Sequence, residues 1–275
     1  MTASDLAVTL LYVPADRPER LAKAFTLGAD VVIVDLEDAV APPAKADARA
    51  ALPELLAASG DQRVQVRVNA LDTAYGYDDL AAVAKLDNAV EVRVPKVEST
   101  DVVDAVRDVL GERPVHVLIE TALGVERAFD IATCGSSVAS ISLGEADLRS
   151  ALGVTSDHGM EWARGRIVVA AAAAGLPAPG QSPYMNVRDL AGLAESSREG
   201  RAAGFVGRSA IHPSQLGPIR EAYRPDADEV RKARATLDRL DGGGVDVLDD
   251  GSFIDPAMVG AARRVVELDR LTQPR

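Results

Sequence analysis

The sequence predicts an α/β protein, a (β/α)8 TIM barrel followed by a C-terminal helical extension. Three observations predict it. Short apolar, β-branched runs recur and alternate with segments of helical spacing, which implies a parallel sheet with crossover helices. There are eight such repeats of roughly 25–35 residues, suiting a barrel that is normally ~250 residues long, and the chain has 275. No G-x-G-x-x-G follows the first run, and "VPADRPER" is a poor dinucleotide turn, which counts against the competing doubly wound open sheet.

The strand runs are "VTLLYV" (8–13), "VVIVDL" (31–36), "VQVRV" (64–68), "VEVRV" (90–94), "VHVLIE" (115–120) and "VASISL" (138–143). A weaker run lies near "PYMNV" (183–187), and an eighth surrounds "GFVGRSAI" (204–211). Between them, segments such as "PERLAKAFTLG" (18–28), "STDVVDAVRDVLG" (99–111) and "MEWARGRIVVAAAAAG" (160–175) carry apolar residues at three- and four-residue intervals. Several of these segments stop at Gly, a helix terminator. Beyond the eighth unit, "RPDADEVRKARATLDRLDGGG" (224–244) reads as a charged helix ending in glycines. An extended piece, a turn and a last helix follow. Residues 1–221 are therefore expected to form the barrel and 222–275 an extension rather than a second globular domain.

Composition excludes several classes of function. At 47% hydrophobic content the chain can bury a large core. A formal charge of −12 argues against nonspecific binding to nucleic acid or an anionic membrane. The single Cys134 excludes an internal disulfide framework and any multi-cysteine metal site, and fits a reducing cytosol. The N-terminal apolar stretch has no basic region before it, and no run approaches the ~18 apolar residues of a membrane span. The expectation is a soluble cytoplasmic protein.

In a barrel of this kind functional groups collect at the C-terminal ends of the strands. Those ends carry Arg17 and Arg20, then Glu37 and Asp38 in "IVDLEDAV", Arg67 with Asn69, Lys96 with Glu98, Glu120, and Glu145 with Asp147. Any one of them alone reads more simply as a solvated loop residue. Glu120 is the exception: it ends a run covered on both faces, so its carboxylate must be paired, protonated or bound to a metal. Asp147 lies 27 residues further on, one βα unit, so the two carboxylates end neighbouring strands. Two carboxylates without His or Cys suit a hard, oxygen-loving cation such as Mg2+. The histidines His116, His158 and His212 stand isolated, which makes zinc improbable. No nucleophile elbow and no P-loop are present.

"LLYVPADRPERLAKAFTLGADVVIVDLEDAVAPPAKADAR", "VRVN", "VPKVES", "LIETALGV", "LGEADL", "GFVGRSAIHPSQL" and "FIDPAM" follow one another in this chain. In content and order they resemble the HpcH/HpaI aldolase–citrate lyase β-subunit family of CoA-ester lyases, over roughly residues 9 to 262. The resemblance implies an enzyme that makes or breaks the C–C bond of a 3-hydroxyacyl-CoA such as malyl-, citramalyl- or citryl-CoA. It implies Mg2+, with Mn2+ as a substitute, held by Glu120 and Asp147. Arg67 would grip the keto-acid oxygens. Tyr12, Arg17 and Lys23 would hold CoA, with Arg20 as a further phosphate clamp. Asp255 would transfer a proton in the site of a neighbouring subunit of a homo-oligomer, a trimer or hexamer. Glu37 and Asp38 would support the metal waters or orient Arg67.

Two departures qualify the resemblance. The family pattern "GAEDL" places Glu directly before the metal-binding Asp, whereas this chain has Glu145-Ala146-Asp147, leaving the role of Glu145 open. "GQSPYM" has Gln181-Ser182 where the family usually carries an Asp, which bears on substrate choice. Asp255 also has a purely structural reading, as the cap of a helix that begins at Pro256. Three further functions fit the same residues: a thioesterase on the same metal site, a subunit of a carrier-protein-dependent lyase complex, and, least well, a non-catalytic CoA-binding scaffold.

Overall fold

The computed structural model describes residues 6–273. Seven parallel strands form one curled sheet: β1 (Thr9–Pro14), β2 (Val31–Asp35), β3 (Val64–Arg67), β4 (Glu91–Val94), β5 (Val115–Ile119), β6 (Val138–Leu143) and β7 (Arg208–Ala210). Their order is β6-β5-β4-β3-β2-β1-β7, so successive strands lie side by side and β7 returns to β1. Six of the eight runs read from sequence are strands within two residues of the expected bounds, because each is long, apolar and β-branched.

Side chains alternate between the two faces of the sheet. On the convex face Val32, Val34, Val66, Val92, Val94, Val117 and Ile119 pack against helix residues such as Leu21, Leu52, Leu80, Val106 and Ile167 to make the main core. The concave face has a small apolar cluster, Leu10, Val31 and Ile33, together with Leu118 in the cavity lining. Much of the remainder is polar and arranged in tiers. In the lowest, Arg63 donates to Glu91 (2.9 Å), and His116 bridges Glu91 (2.8 Å) and Ser140 (2.7 Å). Burial holds the His116 imidazole below its usual pKa. In the middle tier Arg93 donates to Gln65 and Ser142. The upper tier, at the C-terminal ends of the strands, contains Asp35, Arg67 and Glu120.

The seventh run is a correction. Residues 183–187 form no strand; the extended segment lies upstream, at 179–182. Its main chain pairs with the β7 side, through Val206 N–H to Pro179 O (2.9 Å), Gln181 N–H to Gly207 O (2.9 Å) and Ser209 N–H to Gln181 O (3.0 Å). Towards β6 it is joined by the Ser182 hydroxyl, which donates to Leu143 O and accepts from Glu145 N–H (3.2 Å). Pro183 has no N–H to extend the ladder, so the chain leaves the sheet there. The eighth run shortens to Arg208–Ala210.

Past the sheet, the helices Ala227–Arg239 and Val259–Thr272 flank a two-stranded antiparallel hairpin, Asp246–Val247 with Phe253–Ile254. Leu240, Leu248 and Ile254 form a separate small core there. Arg220 and Arg224 donate to the carbonyls of Leu271 (2.9 Å) and Thr272 (2.8 Å), tying the last helix back to the body of the protein.

Candidate active site

A cavity of about 590 Å3 opens at the C-terminal ends of the strands. Tyr12, Asp35, Asp38, Arg67, Glu120, Glu145 and Asp147 all line it, so six of the residues singled out from the sequence converge, together with Asp35. The strand end "VDLED" explains itself here. Asp35 ends β2 directly beside Arg67 at the end of β3, and the two are register partners. Arg67 donates Nε–H to Asp35 Oδ1 (2.7 Å) and Nη2–H to Oδ2 (2.6 Å), a bidentate pair with Asp35 1% exposed. Arg67 Nη1 lies 2.9 Å from Glu37 Oε2 and 3.8 Å from the exposed Asp38. The guanidinium sits 4.9 Å above the Tyr12 ring. Burial favours the neutral form, but the bonds and charge of Asp35 outweigh it and raise the Arg67 pKa. Arg67 is a permanently charged, rigidly aimed group.

The loop after β2 is fixed from below. Lys45 donates to the carbonyls of Leu36 (2.8 Å) and Glu37 (2.7 Å), and Asp35 accepts the amides of Glu37 (2.9 Å) and Ala39 (3.3 Å). Glu37 Oε1 also takes Lys96 Nζ (3.0 Å). Its Oε2 is buried with no well-formed hydrogen bond despite the nearby Arg67 charge. Burial pushes the Glu37 carboxyl above its usual pKa against the pull of Arg67.

Glu120 follows β5 and is 3% exposed. Oε1 accepts the amide of Lys96 (2.9 Å), which is the only non-glycine with positive φ (54°) among the described residues. The left-handed turn at Lys96 thus aims an N–H at the carboxylate. The other oxygen lies over Gly144, where an added Cβ would come within 2.3 Å of Oε2 and 2.6 Å of the Glu120 Cβ. Only glycine fits. Burial, then the charges of Glu37 and Asp147, push the Glu120 carboxyl up to about 8. Asp147 is exposed to the cavity from the first turn of the helix Glu145–Leu152.

These residues fit a divalent cation. Burial, and then the nearby carboxylates, disfavour the charge on Glu120, a cost that a cation would relieve, and Glu37 keeps an oxygen without a well-formed hydrogen bond close by. Among the described residues no group of three or more His, Cys, Asp or Glu converges. Two carboxylates leave the remaining positions to water and substrate oxygens, as Mg2+ prefers. Glu145 is not available: Arg164 holds it at 3.0 and 2.6 Å, and Arg149 at 3.3 Å.

The other predicted residues are dispersed. Arg17, Arg20 and Lys23 are exposed around the helix Pro18–Ala24, with Arg17 3.6 Å from Asp16. Asn69 is buried and serves structure, bonded to Asp79 (2.6 Å) and Leu36 O (3.0 Å). Asp255 lies outside the cavity lining and caps the 3-10 helix Pro256–Met258, accepting Ala257 N–H at 2.8 Å. Within one chain it adopts the capping arrangement. Sequence reasoning missed Asp35 as the main Arg67 partner, the Lys96 amide, and Arg93 and Ser142 in the cavity floor. Strand register would have found Asp35, since aligning the ends of β2 and β3 sets it against Arg67.

Comparison with known proteins places the chain in a family. A family model described as HpcH/HpaI aldolase/citrate lyase matches residues 8–213. A (3S)-malyl-CoA thioesterase of Cereibacter sphaeroides (strain ATCC 17025 / ATH 2.4.3) is 34% identical over 270 residues, covering 94% of this chain and 93% of the relative. A citrate lyase subunit beta-like protein of Mycobacterium tuberculosis (strain ATCC 25618 / H37Rv) is 39% identical over 235 residues, covering 82% of each. Among solved structures, protein CitE from Mycobacterium tuberculosis in complex with magnesium, acetoacetate and coenzyme A superposes with a TM-score of 0.82. It is 33% identical and the match covers 97% of this chain and 99% of that one.

Proposed function

This chain belongs to the HpcH/HpaI aldolase/citrate lyase family, and from that premise we propose that it is a Mg2+-dependent lyase of 3-hydroxyacyl-CoA esters. The acyl group is of the malyl, citramalyl or citryl type, and the products are acetyl-CoA and a keto acid. One observation carries the reading: the buried Glu120 shares a cavity with Asp147 and the carboxylate-clamped Arg67.

Glu120 and Asp147 would hold the metal, whose Lewis acidity would support loss of the substrate hydroxyl proton to solvent. Arg67, fixed by Asp35 and Glu37, keeps outward N–H groups for the keto-acid oxygens, including the alkoxide that carries the negative charge until the C–C bond breaks. The electron pair of that bond passes to the thioester fragment as an enolate. Asp255, brought from a neighbouring subunit of a trimer or hexamer, delivers the proton to the enolate carbon. Tyr12, Arg17 and Lys23 border the CoA; Tyr12 also forms the platform under Arg67. Asp38 stands at the rim.

The fold reading behind this is a closed (β/α)8 barrel, with segment 179–182 as the strand that completes the ring. Its main-chain bonds to the β7 side and the Ser182 bridge to β6 support it. Residues 1–221 form the barrel and 222–275 the extension. Cysteine usage and acidic composition support a cytoplasmic enzyme. No helix among the described residues is long and apolar enough to cross a membrane.

Incubation with Mg2+ and a panel of malyl-, methylmalyl-, citramalyl- and citryl-CoA tests the proposal. Acetyl- or propionyl-CoA plus a keto acid is expected. Release of free CoA without C–C cleavage would instead make the chain a thioesterase, the activity named for a relative of 34% identity. Activity only with an acyl-carrier partner would place it in a lyase complex.

A further inference from the structure

Arg93 is a buried guanidinium with no carboxylate among its hydrogen-bond partners. It projects from β4 on the concave face, 4% exposed, and lines the floor of the active-site cavity below Arg67 and Tyr12. Its hydrogen bonds go to neutral oxygens: Nε–H and Nη2–H to Gln65 Oε1 (3.0 and 2.8 Å) and Nη1–H to Ser142 Oγ (2.9 Å). One N–H on each terminal nitrogen remains. Glu91, two residues earlier on the same strand, is engaged by Arg63, Gln65 and His116 in the tier beneath.

The other cations around the cavity are accounted for. Arg67 is clamped by Asp35 and Glu37, Lys96 by Glu37, and Arg149 and Arg164 by Glu145 and Asp157. Arg208 also lines the cavity without a carboxylate partner, but its N–H groups are taken by Ser182 O and the Ser196 and Ser197 hydroxyls, and it lies over Tyr184. Burial disfavours the charged form of Arg93, and a buried cation is retained only where something compensates it. The cavity is therefore layered: an upper tier rich in carboxylates that fits a cation, above a middle tier where the Arg93 charge is bonded only to neutral oxygens.

We propose that Arg93 is a specificity-determining residue that receives a second carboxylate of the acyl group, so that the chain selects CoA esters whose keto-acid fragment is a dicarboxylate. The small side chains of Ser142, Gly180 and Ser209 beside Arg93 leave that group room. The inference rests on the reading of this cavity as the acyl site.

The test is calorimetric titration of the full-length, Mg2+-loaded protein with pyruvate, which has one carboxylate, and with freshly prepared oxaloacetate, which has two. Oxaloacetate is expected to bind at least about tenfold more tightly, the scale of one charge-assisted contact. Arg93→Met should bring the ratio to within about twofold, and Arg93→Lys, which keeps the charge, should retain most of it. Equal affinities in the wild type, or an undiminished ratio in Arg93→Met, would overturn the proposal. If Arg93→Met does not fold by circular dichroism, the wild-type ratio and the Lys variant decide. Failure of both keto acids to bind would overturn the acyl-site reading itself, whereas pyruvate binding without a preference faults Arg93 alone.

Discussion

Asp35→Asn tests how Arg67 is held. In the wild type each Asp35 oxygen accepts two donors: Oδ1 from Arg67 Nε–H and Glu37 N–H, Oδ2 from Arg67 Nη2–H and Ala39 N–H. Asparagine offers one acceptor oxygen, so whichever way the amide turns, two of the four donors face an N–H2 group. Each buried donor left unsatisfied costs about 1–3 kcal/mol, and the arginine loses its main counter-charge. Glu37 remains as a partial partner, so the expected loss is about 4 kcal/mol of unfolding free energy. Asp38→Asn is the control: it lies 3.8 Å from Arg67 and is 60% exposed, and it should cost under about 0.5 kcal/mol. Urea denaturation followed by circular dichroism reads both, and lyase kcat/KM should fall for Asp35→Asn as Arg67 loses its fixed aim. A loss below about 1 kcal/mol for Asp35→Asn would refute the four-donor accounting. Arg67 would then be anchored by something other than this pair.

Glu120→Gln and Asp147→Asn should each abolish Mg2+ binding by calorimetry while leaving a cooperative thermal transition, and EDTA should inactivate the wild type until Mg2+ or Mn2+ is restored. Arg67→Lys should be nearly as inactive as Arg67→Ala, since lysine offers a point charge where the bidentate pair needs a fork; a near wild-type kcat would contradict this. Glu91 carries a pH dependence of stability: burial raises its pKa, but the His116 bond and the Arg63 charge overcome this and lower it from 4.5 to about 2. A depressed carboxylate stabilises the fold fully above pH 4.5 and loses that contribution as pH falls towards 2. Against Glu91→Gln, the wild type should therefore lose up to about 3 kcal/mol more over this window, and parallel stability curves would exclude the effect. Mixing inactive Asp255→Ala with inactive Glu120→Ala subunits should restore measurable turnover. Confirmed subunit exchange without recovered activity would show that Asp255 does not serve a neighbour.

Much of this protein was determined by the sequence alone, wherever one local signal dominates. β1 to β6 were legible because a strand covered on both faces must be an uninterrupted apolar, β-branched run, and such runs have no good alternative use. Glu120 stood out for the same reason: a carboxylate attached to so apolar a run has to meet something. The segment 179–182 was illegible because it contains a glycine and two polar residues and is held by its main chain, the Gln181 amide and the Ser182 hydroxyl, none of which leaves a hydrophobic pattern.

What only the tertiary structure decided concerns partners from different strands. Asp35 read as one of three carboxylates at a strand end, and only register set it against Arg67 while leaving Asp38 in solvent. Glu145 could have faced a metal, and the helix Glu161–Ala173 turned it to Arg164 instead. Arg93 carries no signal in the sequence, and curling of the sheet buried it against the neutral oxygens of Gln65 and Ser142. The reason is physical: hydrophobicity and backbone propensity act over a few neighbouring residues, whereas a buried charge is defined by groups 26 to 49 positions away, such as Gln65 for Glu91 and Ser142 for Arg93, that meet only once the strands have paired.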